Sequence, residues 1–281
     1  MDFKICAIGC GCLANKSHGS SYKKYRKLNS CVKLAACCDL DEERAVKFKE
    51  EFGFDNHYLD IVSMLDAEKP DAVCLISPVH LTAKLSIAIL ERGYPLIMEK
   101  PPGLNRDETL AMINAAKLKH VPNQVAFNRR YMPVVREMKK RIYESFKPEQ
   151  IQNIRYDLLR VNRRDCDFGT TAIHGIDAVK HIANSEYRHI TFHYQELPHL
   201  GNGIANIFLE CMFESGATAQ LSFCPVSGIT IERITANAYD NTFFAELPIG
   251  NSVDYPGRLL HFERNQKVFE VSGKELPTYN C

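Results

Sequence analysis

Short apolar runs alternate with longer amphipathic stretches from residue 3 to about residue 128. This rhythm is typical of repeated strand–helix–strand units, in which helices cover a parallel sheet. We predict helices over Asp41–Phe52 and His80–Arg92, the second closed by Gly93. A further helix should begin after Asn105, a capping residue, with Glu108 three residues on as in a capping box. The predicted strands are Ile5–Ile8, Leu34–Cys38, Ala72–Ile76, Leu96–Met98 and Val125–Phe127.

After residue 128 the rhythm changes to two helical stretches and several strands. Glu214-Ser215-Gly216 separates two strand-like runs and predicts an antiparallel hairpin. Leu259–Phe262 and Val268–Val271 predict a last hairpin. The second half is therefore expected to be α+β, with a large, mainly antiparallel open sheet. The other predicted elements are helices Pro133–Tyr143 and Ile173–Ala183, and strands Ile154–Leu159, Ile204–Phe213, Ala217–Phe223 and Ile229–Ala238.

Length, charge and cysteine content narrow the class of protein. The 281 residues, 45% of them hydrophobic, predict two domains, which we place at residues 1–126 and 127–281. Because 35 Lys and Arg balance 34 Asp and Glu, neither nucleic acid nor a membrane surface is an expected partner. An odd count of 11 cysteines at irregular spacing favours reduced thiols and a cytoplasmic location. No apolar run reaches the roughly 20 residues that span a bilayer.

A glycine-rich turn, Gly9-Cys10-Gly11-Cys12-Leu13-Ala14, follows the first strand. In such a turn Gly9 reverses the chain, Gly11 leaves room for a pyrophosphate, and Ala14 allows the helix to pack on the strand. The amides at the helix start, around Cys12 and Leu13, then point at the phosphates. The pattern predicts a Rossmann dinucleotide-binding domain; the alternative is a tight turn that binds no nucleotide.

Asp39, at the end of the second strand, lies where an acid meets the ribose hydroxyls of a dinucleotide. A carboxylate there repels a 2′-phosphate, and no Lys or Arg follows before Arg44, so NAD is favoured over NADP. Cys6, Cys10 and Cys12 lack the paired ligand spacing of a zinc site, and no metal is expected.

The segment Glu99-Lys100-Pro101 follows another buried strand, at the edge where open α/β sheets bind ligands. A lysine in this place can hydrogen-bond the hydroxyl or carbonyl oxygen of a substrate. For an isolated lysine, a solvated surface position would be the simpler interpretation.

The ordered series of motifs resembles the glucose–fructose oxidoreductase, inositol dehydrogenase and rhizopine catabolism (Gfo/Idh/MocA) family. It runs through the glycine turn, Asp39, Ser77-Pro78, Glu99-Lys100-Pro101 and Asn128-Arg129-Arg130-Tyr131 with Pro133. The resemblance implies a Rossmann domain followed by an α/β domain whose open sheet carries the substrate pocket and the oligomer interface. It implies oxidation or reduction of a sugar, a cyclitol or a related compound with NAD(P).

The same resemblance implies roles for individual residues. Lys100 would be the catalytic, substrate-binding lysine, and His174 the catalytic histidine. Glu99, Ser77, Pro78 and Asn128 would lie along the cofactor, which Lys100 would also contact.

The sequence departs from the family pattern at three places. Thr170 stands where an Asp would precede His174 by four residues, so the histidine loses its usual partner; Asp177 or Asp167 is a candidate replacement. Thr82 stands where the family has a histidine after Ser-Pro. The strands at the end of the chain replace an expected C-terminal helix, which we interpret as a shortened C-terminus.

Two basic segments are candidates for an anionic group of the substrate. Arg129 and Arg130 either bind such a group or form surface ion pairs. Arg160, Arg163 and Arg164 precede His174, and a solvated basic loop is the simpler interpretation. Thr170 and Asp177 complete the set of candidate substrate residues.

The sequence thus predicts an NAD(P)-dependent oxidoreductase that moves a hydride between nicotinamide and a hydroxyl or carbonyl carbon of a sugar-like molecule. The alternative is a regulator on the same fold that binds a dinucleotide or a sugar without catalysis. A homodimer or homotetramer through the C-terminal sheet is expected.

Overall fold

A computed structural model describes residues 2–165, 167–250 and 252–277. The chain divides into two compact units between Ala126 and Phe127. The N-terminal unit and the C-terminal unit are described separately.

The N-terminal unit is a six-stranded parallel sheet in the order β3-β2-β1-β4-β5-β6, with helices in its connections. Its strands are β1 Phe3–Ile8, β2 Val32–Cys38, β3 Asn56–Tyr58, β4 Ala72–Leu75, β5 Leu96–Met98 and β6 Asn123–Val125. Its helices are α1 Gly19–Leu28, α2 Glu42–Phe52, α3 Ile61–Glu68, α4 Val79–Glu91 and α5 Arg106–Lys119, and a π-helical turn, Ala14–His18, leads directly into α1.

Local signals explain the helix ends. The Asn105 side chain accepts a hydrogen bond from the Glu108 amide at 2.9 Å, which caps α5. The Glu108 carboxylate accepts from the amide of Leu104 rather than that of Asn105, so the capping box is displaced by one residue. Gly93 ends α4 with φ +84°, as predicted.

One strand lies away from its predicted place. We expected Val125–Phe127, but β6 is Asn123–Val125, paired with β5 residue by residue. Two of its three residues are exposed polar side chains at the edge of the sheet, so hydrophobicity does not mark them. Phe127 lies beyond the strand.

The C-terminal unit is an eight-stranded sheet in the order β14-β13-β12-β11-β7-β10-β9-β8. Within this sheet, as far as its residues are described, β7 and β10 pair in parallel and all other neighbouring strands are antiparallel. The strands are β7 Ile151–Leu159, β8 Tyr187–Glu196, β9 Ala205–Phe213, β10 Thr218–Cys224, β11 Ile231–Ala238, β12 Asn241–Glu246, β13 Arg258–Glu263 and β14 Gln266–Ser272. The helices are α6 Pro133–Ser145 and α7 Gly169–Ala183.

Helices α6 and α7 supply one side of the core of this unit. Val134, Met138 and Ile142 of α6 are fully buried, as are Val179 and Ile182 of α7. They pack in one cluster with alternate residues of the sheet, because successive strand side chains point to opposite faces. The predicted hairpins β9–β10 and β13–β14 are both present.

No helix in the described ranges is long and apolar enough to cross a bilayer. The cysteines within those ranges are free thiols.

Candidate functional site

Three strands of the N-terminal unit end beside one another at the same edge of the sheet. The glycine turn follows β1, Ser77 and Pro78 follow β4, and Glu99 and Lys100 follow β5. In the sheet order, β1, β4 and β5 are consecutive neighbours. The predicted cofactor residues of this unit therefore line one edge, together with Asp39 after β2.

Gly9 occupies a position that only glycine can fill. Its φ is +92°, and a Cβ added there would lie 1.9 Å from the carbonyl oxygen of Ile76. The Gly9 amide donates to the carbonyl of Cys38 at 2.8 Å. The turn is thus fixed between the ends of β2 and β4.

The residues after Gly9 have the surroundings that a phosphate-binding turn requires. A Cβ on Gly11 would meet nothing within 4 Å, so the space beside its backbone is open. Cys12 and Leu13 are exposed at the start of the helix, whereas Ala14 is fully buried. A ligand can therefore reach the helix start at Cys12 and Leu13, while Ala14 packs into the core.

Asp39 supports the glycine turn directly. One carboxylate oxygen accepts from the Cys10 amide at 2.8 Å, and the other accepts from the Asp41 amide at 3.0 Å. The side chain is half-buried. The carboxylate is therefore held in place by backbone donors on both sides.

A cavity of about 580 Å³ lies along this edge. Gly9, Gly11 and Asp39 line it together with Ser77 and Pro78. Arg44 also lines the cavity, with its Nε 3.2 Å from an Asp41 carboxylate oxygen. An acid and a guanidinium thus occur in the same cavity, near the expected ribose position.

The Ser77-Pro78 loop is tied to the helix that follows it. The Ser77 hydroxyl lies 3.0 Å from the hydroxyl of Thr82, which is almost fully buried and also donates to the Pro78 carbonyl at 3.3 Å. Thr82 therefore positions this loop. His80 is exposed on α4.

Glu99 forms an ion pair with His18 that the sequence did not indicate. His18 Nε2 lies 2.7 Å from one carboxylate oxygen, and the Lys100 amide donates to the other at 3.1 Å. Burial alone would raise the pKa of Glu99, but the hydrogen bond and charge of His18, with smaller effects from Lys100, lower it below its usual value. Glu99 is thus an anchored carboxylate beside Lys100.

Two further residues of this region were missed from the sequence. The Asn15 side chain donates to the carbonyls of Cys10 and Gly11, both at 2.8 Å, and so braces the turn. The Tyr22 hydroxyl lies 3.3 Å from Nδ1 of His18. The i to i+4 spacing of His18 and Tyr22 on a helix was the available signal.

In the C-terminal unit, Asn128, Arg129 and Arg130 form a 3₁₀ turn. The Asn128 side chain accepts from Arg129 at 2.9 Å. Arg129 binds both carboxylate oxygens of Glu232, at 2.9 and 2.7 Å, and Glu232 is completely buried. Nη2 of Arg160 contacts Oε1 of Glu232, the same oxygen that Nη2 of Arg129 binds. Arg129 and Arg160 therefore both belong to an internal ion cluster around Glu232.

Arg130 and Asp177 form a bidentate ion pair. Nε of Arg130 lies 2.8 Å from one carboxylate oxygen of Asp177, and Nη2 contacts the other. Asp177 is buried on α7. Its carboxylate, which we considered as a partner for His174, is thus engaged by Arg130. Arg163 pairs with the Asp165 carboxylate, whereas Arg164 donates to the neutral side-chain amide of Asn162, so of these two contacts only the first balances a charge.

His174 is 7% exposed on α7. Thr170 lies in the first turn of the same helix, and its hydroxyl donates to the Asp167 carbonyl at 3.0 Å. Asp167 lines a cavity of about 350 Å³ at this helix start, together with Gly169, Tyr194, Glu196 and the loop before β9. The structure thus places a polar cavity at the beginning of the helix that carries His174.

Residues 3–127 match the family model described as "Oxidoreductase family, NAD-binding Rossmann fold", GFO_IDH_MocA. Its residues include the glycine turn, Asp39, Ser77-Pro78 and Glu99-Lys100. This match covers the N-terminal unit, which therefore resembles the NAD-binding domain of the Gfo/Idh/MocA oxidoreductases.

Two proteins that are similar to this chain over the N-terminal region are dehydrogenases. Levoglucosan dehydrogenase of Pseudarthrobacter phenanthrenivorans is 37% identical over 106 residues, 38% of this chain and 27% of that protein. D-glucoside 3-dehydrogenase of Escherichia coli is 31% identical over 114 residues, 41% of this chain and 31% of that protein. The matched region spans about a third of the length of these relatives.

A likeness in fold to a solved structure extends over both units. The structure of levoglucosan dehydrogenase in complex with NADH and levoglucosan has a TM-score of 0.81 at 20% identity, covering 97% of this chain and 80% of the other. The predicted fold class, a parallel Rossmann sheet followed by a mainly antiparallel sheet, is confirmed. The expectation of NAD as cofactor agrees with the NAD-binding family.

Proposed function

We propose that this chain is an NAD-dependent dehydrogenase that acts on a hydroxyl or carbonyl carbon of a sugar, a cyclitol or a related small molecule. One observation carries the proposal. The cavity beside the glycine turn and Asp39 lies at the same sheet edge as the anchored Glu99 and Lys100, two strands away from the turn. A binding site for a dinucleotide and a lysine able to bind a substrate oxygen thus occur on one rigid sheet.

The residues present fit a nicotinamide dinucleotide. The space beside Gly11 is open, the helix start at Cys12 and Leu13 is exposed, and Asp39 presents a fixed carboxylate in the cavity. We propose that Asp39 accepts from the ribose hydroxyls, and that Ser77 and Pro78 contact the cofactor further along. When bound, the nicotinamide supplies the ring carbon that accepts or returns a hydride.

Lys100 is the proposed substrate-binding and catalytic residue. Oxidation of a secondary alcohol removes a hydride from carbon and a proton from oxygen. Lys100 would hold and polarise that oxygen through a hydrogen bond, and Glu99 would fix the backbone from which Lys100 projects, since it accepts from the Lys100 amide. For His174 we propose the proton-exchanging role that the resemblance implies.

The C-terminal unit is proposed to bind substrate and to form a homodimer or homotetramer. The face of its sheet opposite α6 and α7 carries exposed apolar side chains, including Met212 (46% exposed) and Phe244 (40% exposed). Burying such side chains against a second copy would be favourable.

The decisive experiment replaces Lys100 by Met. With NAD and a panel of sugars and inositols, formation of reduced nicotinamide, followed by its near-ultraviolet absorbance, should fall by about 10²- to 10⁴-fold. The dissociation constant for NAD should stay nearly unchanged, because Lys100 is outside the dinucleotide cavity.

Lys117→Met, an exposed lysine on α5, is the matched control and should keep full turnover. Unchanged turnover in Lys100→Met would contradict the role of Lys100. Binding of NAD without turnover of any compound in the panel would favour the non-enzymatic regulator.

A further inference from the structure

A positively charged cavity of about 680 Å³ lies in the C-terminal unit between α6, α7 and the 3₁₀ turn. Arg136, Lys139 and Lys140 of α6 line it, together with His181 of α7 and Arg130 of the turn. Among the described residues that line it there is no carboxylate. Lys139 and Lys140 come three and four positions after Arg136, so each lies on the same face of the helix as Arg136.

Lys139 is held at the wall of this cavity by neutral partners. Its Nζ lies 3.4 Å from Nδ1 of His181 and 3.3 Å from Oδ1 of Asn184. Tyr143 packs beside it, with the ammonium 5.9 Å from the ring centre. The Lys139 charge is therefore positioned by groups that do not cancel it.

The charged groups that surround the cavity come from all three elements. Arg130 is paired with Asp177, and Lys140 lies 3.7 Å from the exposed carboxylate of Glu144. Burial and then Arg130 lower the pKa of Lys139, while burial, Lys139 and Arg130 lower the pKa of His181 to about 4. Groups on two helices thus experience a positive field, which an anion in the cavity would relieve.

We propose that this cavity binds a small molecule that carries a phosphate group. Lys139 would donate to the phosphate, with Arg136 and Lys140 adding positive charge around it. The volume exceeds that of a phosphate ion and leaves room for an attached organic group. Tyr131, 49% exposed, and Tyr143 provide flat apolar surfaces at the wall for that group.

Binding of a phosphate would also be linked to pH. A negative charge beside His181 raises the pKa of its imidazole from about 4, so the complex takes up a proton that the free chain does not hold. Proton uptake by His181 therefore favours binding as the pH falls below the new pKa, while protonation of the phosphate dianion, with a pKa of about 6, acts in the opposite direction. The other groups that face His181 are Lys139 and Arg130, which stay charged over this range.

The test is calorimetric titration of the full chain with inorganic phosphate, pyrophosphate and glucose 6-phosphate at low ionic strength. Lys139→Met should weaken binding of all three by about tenfold or more, since a charge-assisted hydrogen bond is lost. Lys147→Met removes an equal charge from an exposed site outside the cavity and should change affinity less than about twofold. The NMR pH titration of His181 should move upward when pyrophosphate is present.

Several results would overturn the proposal. These are no binding of any probe, equal weakening by Lys139→Met and Lys147→Met, or an unshifted His181 titration. Equal affinity for inorganic phosphate and glucose 6-phosphate would contradict the proposal that the cavity also binds an attached organic group. Tighter binding of glucose 6-phosphate would support it. NAD affinity of Lys139→Met, measured in parallel, should equal that of the wild type, so that loss of the dinucleotide site is recognised separately.

Discussion

Asp39 is the residue on which cofactor choice depends. Its carboxylate supports the turn and lines the same cavity as Arg44. In Asp39→Asn, an amide oxygen still accepts from the Cys10 amide, but the negative charge that repels a 2′-phosphate is gone. We expect the ratio of the dissociation constants for NADP and NAD to shift toward NADP by about tenfold.

Fluorescence titration with both cofactors measures this ratio. Combining Asp39→Asn with Arg44→Met should remove the gain for NADP, because the guanidinium in the cavity would supply the attraction. An unaltered ratio in Asp39→Asn would contradict the assignment of Asp39 to the ribose.

Individual site residues were predictable where a local motif marks them. Gly9 and Asp39 could be assigned because a strand, a turn and an acid follow in a fixed order. The His18–Glu99 pair could not, since it joins residues 81 positions apart and the π-helical turn before α1 sets the direction of His18. The partners of Arg129 and Asp177 likewise come from distant segments.

Helix α5 depends for part of its stability on Asn105, the N-cap residue that precedes it. Asn105 caps it through the Glu108 amide at an exposed position. Asn105→Ala should lower the free energy of unfolding by about 1 kcal/mol, measured by urea denaturation. Asn114→Ala, in the exposed middle of α5, should instead be neutral or slightly stabilising because Ala favours helix interiors. If Asn114→Ala lowered the free energy of unfolding as much as Asn105→Ala, loss of the cap would not explain the destabilisation by Asn105→Ala.

Elements with strong periodicity or caps could be placed from the sequence, whereas the edge strand β8 and the interior strand β12 were not predicted. Strand β5 is found at its predicted bounds, because its buried residues and the following Glu99 mark it. The helix predicted at Ile173 begins at Gly169, since polar residues of its first turn carry no periodic signal. Strand β8 was missed because most of its side chains are exposed at the sheet edge.

The C-terminal unit as a whole is stabilised by an ion cluster in its interior. Glu232, completely buried, is bound by Arg129 and Arg160 and accepts from the Tyr156 hydroxyl at 2.6 Å. Glu232→Gln would leave two guanidinium groups without their counter-charge. We expect the free energy of unfolding at neutral pH to fall by about 3–5 kcal/mol. Urea denaturation checks this, with the exposed Asp240→Asn as a control that should have little effect.

The same cluster predicts a pH dependence. Burial acts to raise the pKa of Glu232, but Arg129, Arg160 and Tyr156 outweigh it and lower the pKa from 4.5 to about 2. Because the folded pKa is depressed, the stabilisation is complete above 4.5 and is lost as the pH falls toward about 2. The difference between wild type and Glu232→Gln should shrink over that interval, and a constant difference would contradict the ionised state of Glu232.

The contact at Gly9 has a kinetic consequence. The backbone of the turn touches the Ile76 carbonyl, and Ser77 and Pro78 follow immediately, so the loops after β1 and β4 are locked to each other. We expect that neither loop opens alone, as a lid would. We therefore expect the dinucleotide to enter a site that is already shaped, with an association rate governed by encounter rather than by rearrangement.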